Sequence, residues 1–121
     1  MKHPLQFNCP VEAALDVMGG KWKPVILWHL SQSDHRFGVL RRAIPTVSEK
    51  VLVEQLRQLE QSGVVLRHAE DTVPPTVTYS LSPHGHTLKV AINSLSDWGL
   101  QHAQQIGAHI LIVDGATEET P

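Results

Sequence analysis

The order of signals between residues 37 and 82 constrains this chain more than any other feature. Gly38 to Ala43 reads as a short helix, with Phe37, Leu40 and Ile44 available for a core, and Pro45 ends it by withholding a backbone donor. A longer helix follows from about Ser48 to Ser62, closed by Gly63. Leu52, Leu56 and Leu59 make its inner stripe, while Glu49, Lys50, Val53, Glu54, Arg57, Gln58 and Gln61 lie largely outside it. Its start reads in two ways. Thr46 with Glu49 three residues later forms a capping box, and Ser48 can itself cap the helix. Val64 to Glu70 and Val77 to Ser82 then read as strands. In the second, Val77, Tyr79 and Leu81 alternate with Thr78, Ser80 and Ser82 at period two. Asp71 to Thr76 lies between them and carries two prolines, which forbid continued pairing and make a hairpin tip.

The flanks are helical. Asn8-Cys9-Pro10 reads as a helix start, with Pro10 where a missing N–H costs nothing. Val11, Ala14, Leu15 and Met18 form one apolar face, and Gly19-Gly20 stops it. A second helix, from about Pro24 to Leu30, is apolar nearly all round and so buried on several sides. Ser31 to Arg36 reads as a loop. From about Pro83 a long helix is expected, with Leu88, Ile92, Leu95, Trp98 and Gly99 on one face and Ala91, His102 and Ile106 extending it. That face holds more apolar surface than so small a domain can bury alone, which predicts a dimer joined through Leu88, Ile92, Leu95 and Trp98. Ile110 to Val113 fits a helix extension or a strand, and residues 115–121 read as disordered. The fold class is α+β, mostly α: a winged helix-turn-helix with a two-stranded wing and helices at both ends. Residues 1–107 form the domain, and 108–121 an extension.

Charge supports a phosphate-facing surface. The 121 residues carry a net −2, yet Gly20 to Arg67 holds eight bases against four acids, while the tail beyond Val113 is acidic. Placed in a helix-turn-helix, Lys50 and Arg57 on the outer face of the fourth helix are candidate DNA contacts, and Arg41 and Arg42 candidate backbone contacts. Ser48 can cap, touch phosphate, or do both; Arg67 can touch DNA or brace the hairpin. Glu49 and Glu54 read as solvent-exposed. No apolar run is long enough to span a membrane and the first residues lack a signal-peptide core, so a cytoplasmic protein is expected.

Other chemistry finds no constellation. The eight histidines include no His-x-x-x-His pair, and His84 and His86 point apart on a helix, so no metal is expected. Gly19-Gly20-Lys21 is a helix stop and not a phosphate loop, because Leu15 stands where the first glycine belongs. No nucleophile or carboxylate pair suggests an enzyme, and no cofactor is implied. The single cysteine, Cys9, cannot form a disulfide within the chain. It reads either as a small buried apolar side chain or as a thiolate favoured by a helix N-terminus, with Lys21 and Lys23 nearby.

At these residues the chain resembles the HxlR-type family of winged-helix regulators, relatives of the MarR group. The resemblance is carried by Cys9-Pro10-Val11, Gly19-Gly20-Lys21-Trp22, Ile26-Leu27, and Arg36-Phe37 with Leu40, Arg42 and Ile44. It continues through Val47-Ser48-x-Lys50-x-Leu52, Gln55-Leu56-Arg57-x-Leu59-Glu60, Gly63, Val73-Pro74-Pro75-x-Val77-x-Tyr79-Ser80-Leu81 and Trp98-Gly99. It implies a homodimer joined through the terminal helices, and a transcriptional regulator binding double-stranded DNA at a near-palindromic operator. It also implies a response to oxidants or electrophiles, for which Cys9 is the candidate. By position it adds Arg36, Val53 and Thr76 to the DNA contacts. Val53 replaces the usual threonine, which exchanges a polar contact for one with a thymine methyl. Thr76 and Thr78 stand where arginine and glutamate are common, and Glu70-Asp71 would be repelled by phosphate, so the wing is expected to bind weakly. The alternative is a winged-helix protein-interaction module that does not bind DNA.

Overall fold

The computed structural model of the chain describes residues 6–112. The elements run α1 (Pro10–Met18), α2 (Lys23–Gln32), β1 (His35–Arg36), α3 (Phe37–Ala43), α4 (Glu49–Gln61), β2 (Val65–Glu70), β3 (Thr76–Leu81), α5 (Pro83–His86) and α6 (Lys89–Ile106).

Helix α4 is set by its own residues. Ser48 has extended backbone and its Oγ accepts the Val51 N–H at 3.1 Å, so Ser48 is the cap and the Thr46 reading falls away. Leu52, Leu56 and Leu59 are completely buried. They meet Ile26, Leu27 and Leu30 of α2, Leu40 of α3, and Val64, Val65, Tyr79 and Leu81 in a single core cluster. Gly63, at φ +79°, turns the chain sharply out of the helix into β2, a conformation that a Cβ would strain.

The sheet has three strands in the order β1-β3-β2, all antiparallel. The two-stranded wing expected from the sequence is therefore only its outer part. His35 pairs with Tyr79 and Arg36 with Thr78, which turns the end of the expected Ser31–Arg36 loop into an edge strand. His35 is buried, with its Nδ1 2.8 Å from the Ser33 carbonyl. On the far side β2 pairs with β3 from Val65↔Leu81 to Glu70↔Thr76.

The long helix expected from Pro83 is broken. Ser82 caps the one-turn α5 by accepting the Gly85 N–H, and a bend at Thr87-Leu88 precedes α6. Burial divides the expected dimer stripe. Ile92 is 4% exposed and lies in the protomer's own core, with Leu88 packed against it. Both positions thus contribute to packing within the protomer, where α6 meets α2. Leu95 and Trp98, at 57% and 62% exposed, remain on the surface, where Trp98 stacks on His102. Val11 and Leu15 of α1 are uncovered as well. Gly107, at φ +69°, ends α6, and Ile110 to Ile112 form neither helix nor strand; Val113 and the predicted disorder of 115–121 lie outside the described residues. Among the described residues no helix is long and apolar enough to cross a membrane.

Candidate nucleic-acid interface

Helix α4 projects its polar face away from the core. Thirteen residues give a rod about 20 Å long, and a helix with side chains is about 10–12 Å across, close to the width of the B-DNA major groove. Beside it a cleft of about 650 Å³ opens between α3, the first half of α4 and the β2–β3 hairpin. Five of the nine residues expected from the sequence to touch DNA line this cleft: Arg36, Arg42, Val53, Arg67 and Thr76. Phe37 and Tyr79, 6.5 Å apart between ring centres, lie among them.

Three elements bring the arginines together. β1 places Arg36 by pairing it with Thr78, α3 presents Arg42 from its last turn, and Arg67 comes from β2, where it pairs with Tyr79. Among the described residues none accepts a hydrogen bond or forms an ion pair with any of these guanidinium groups, whose fork geometry suits phosphate. The acid in the cleft is Glu49, solvent-exposed as the sequence suggested; it faces Arg41 at 3.5 Å. Arg41 itself lines a second, smaller cleft on the other flank of α3.

Lys50 and Arg57 stand on the outer face of α4, as expected, but in different states. Lys50 is exposed and has no partner among the described residues. Arg57 is gripped by Glu54: Nε donates to Oε1 at 3.1 Å and Nη2 to Oε2 at 2.5 Å. Hydrogen bonds from Arg57 and then Gln58 hold the Glu54 carboxyl down at about 2, and Glu54 in turn raises the Arg57 pKa. Glu54 is solvent-exposed, as the sequence suggested, and is engaged there by Arg57 and Gln58. No pattern in the sequence distinguishes this pair from ordinary i,i+3 charges.

Cys9 lies apart from this surface. It is the N-cap of α1 and is exposed on the protomer. The lysines expected beside it are engaged elsewhere: Lys23 Nζ donates to Gln58 Oε1 at 2.6 Å and Lys21 sits 4.8 Å from the Trp22 ring centre. His29, half-buried, is pushed down to about 4 by burial and by His35 beside it, so it is neutral near pH 7. Among the described residues no group of three histidine, cysteine or acidic side chains converges to hold a metal ion.

Comparison with known proteins agrees with the geometry. The family model described as HxlR-like helix-turn-helix matches residues 17–107. The HTH-type transcriptional regulator YdeP of Bacillus subtilis (strain 168) is 43% identical over 99 residues, 82% of this chain and 77% of that protein. Among solved structures, the redox regulator HypR in its reduced form has a TM-score of 0.76 at 38% identity, covering 84% of this chain and all of that one. Its oxidized form has a TM-score of 0.73 at 42% identity, covering 77% and 96%.

Proposed function

This chain belongs to the HxlR-like helix-turn-helix family of transcriptional regulators, which are not enzymes, and from that premise we propose that it acts as a homodimer on a near-palindromic operator. Helix α4 enters the major groove with Lys50, Val53 and Arg57 toward the bases. Arg36, Arg42 and Arg67 hold the flanking phosphates, Arg41 and Ser48 add backbone contacts, and Thr76 closes the cleft. The observation that carries this reading is the convergence beside α4 of three arginines that have no partner among the described residues. The uncovered faces of α1 and α6, with Val11, Leu15, Leu95 and Trp98, support the dimer: burying them removes apolar surface that otherwise faces water.

Titration of a duplex from the protein's own promoter region at several salt concentrations tests this. Four basic contacts per protomer give about eight per dimer, so the slope of log K against log salt should be about −7. Light scattering of the same sample should give twice the 13.4 kDa chain. A complex indifferent to salt, or no complex, would sink the reading and favour the protein-interaction module.

Cys9 is the proposed point of oxidant response. Its thiol is exposed at the α1 N-terminus, beside the uncovered helix face, and a close structural neighbour is a redox regulator. One cysteine per chain restricts the products to a bond between subunits, a mixed disulfide, an adduct or a sulfenic acid. Mild oxidant should weaken DNA binding of the wild type reversibly and leave Cys9→Ser unaffected. Equal responses in the two proteins, or none, would assign Cys9 to packing.

A further inference from the structure

We propose that Glu54, Gln58 and Lys23 form a brace that presents Arg57 as a reader of guanine, and not as a mobile phosphate clamp. The proposal rests on the DNA-binding reading above and assigns Lys23 and Gln58 as positioning residues for sequence recognition.

The geometry sets which donors remain. A guanidinium carries five N–H groups in a rigid plane. Glu54 takes Nε and one proton of Nη2, the side edge of the fork. The end edge stays open, with both protons of Nη1 and the second of Nη2. Two parallel donors on that edge match the O6 and N7 acceptors that guanine shows in the major groove. A free arginine would have to give up much side-chain freedom to offer that edge in one direction; a braced one has already done so.

The brace extends beyond one helix. Oε2 of Glu54 also accepts the Gln58 amide at 2.9 Å, and the Gln58 carbonyl oxygen accepts Lys23 Nζ at 2.6 Å. Lys23 belongs to the first turn of α2, so the chain of bonds runs from α2 to the outer face of α4. An isolated exposed ion pair contributes little, whereas this one is bidentate and belongs to a network whose far end is partly buried. Both Glu54 oxygens are occupied, which leaves it poorly placed to read cytosine itself. Its charge is offset by Arg57, so a carboxylate can face the phosphates without net repulsion. The low pKa of Glu54 keeps the brace ionised wherever DNA binding is measured.

Selection of duplexes from a random library, followed by titration of the recovered consensus, tests the brace. The wild type should prefer guanine at one position in each half-site by about tenfold or more, and Arg57→Lys should abolish that preference and so identify the position. Gln58→Met, which keeps the length and charge of the side chain but neither polar group, should flatten the preference several-fold with the salt slope unchanged. Lys23→Met should flatten it too, and Lys23→Arg should preserve it. Survival of the guanine preference in both Gln58→Met and Lys23→Met overturns the brace. So does a loss in Arg57→Lys that is equal for all four bases. A wild type that retains no duplex at any salt overturns the DNA-binding reading, and this proposal with it.

Discussion

A chain carrying both Lys50→Ala and Arg57→Ala should remain folded and lose about 2–4 kcal/mol of operator binding per half-site, roughly 30- to 1,000-fold. The loss combines two effects. Lys50 is exposed and has no partner among the described residues, so removing it takes away a charged contact that faces the bases. Arg57 offers its end edge to a base, and its removal also leaves the Glu54 charge without a cationic partner on the face that meets the DNA. Neither side chain touches the core, so the thermal midpoint should stay close to that of the wild type. Fluorescence anisotropy on the operator, alongside a melting curve, measures both. Wild-type affinity in the folded, dimeric double variant would remove α4 from the interface.

Gly85→Ala should destabilise the domain by about 2–3 kcal/mol, and possible relaxation is limited by what the new methyl group meets. A Cβ at this position would lie 2.0 Å from the Val64 carbonyl oxygen and 3.3 Å from the Leu81 Cβ. The first of these is backbone and already pinned, since that oxygen accepts the Ser82 N–H at 2.9 Å. Ser82 Oγ accepts the Gly85 N–H and donates to the Gly63 carbonyl at 2.6 Å. The start of β2, the end of β3 and α5 therefore meet at one crossing, and a displacement there moves the hairpin that carries Arg67 and Thr76. Urea unfolding should show a lower midpoint, and DNA affinity should fall in the fraction that remains folded. An unchanged midpoint would mean that α5 shifts freely and contributes little to holding the wing.

What the sequence determined by itself is what short-range physics dictates. The Leu52-Leu56-Leu59 stripe, the stop at Gly63 and the alternation of Val77, Tyr79 and Leu81 each depend on neighbours within a few residues, and the structure carries them through. The order of those elements, with the motifs along them, also specified the family. The tertiary structure decided the rest, because partners distant in the chain settled it. β1 is only two residues long and exists because His35 and Arg36 find Tyr79 and Thr78; so short a strand has no period to read. The helix after Pro83 is interrupted at Thr87-Leu88, one turn beyond the point where Gly85 packs against the Val64 carbonyl. An apolar stripe says that Leu88, Ile92, Leu95 and Trp98 seek cover but not from what, and the position of α2 divides them between the protomer's core and its surface. The convergence of Arg36, Arg42 and Arg67, and the reach of Lys23 to Gln58 across 35 positions, likewise exist only once the helices and hairpin have packed.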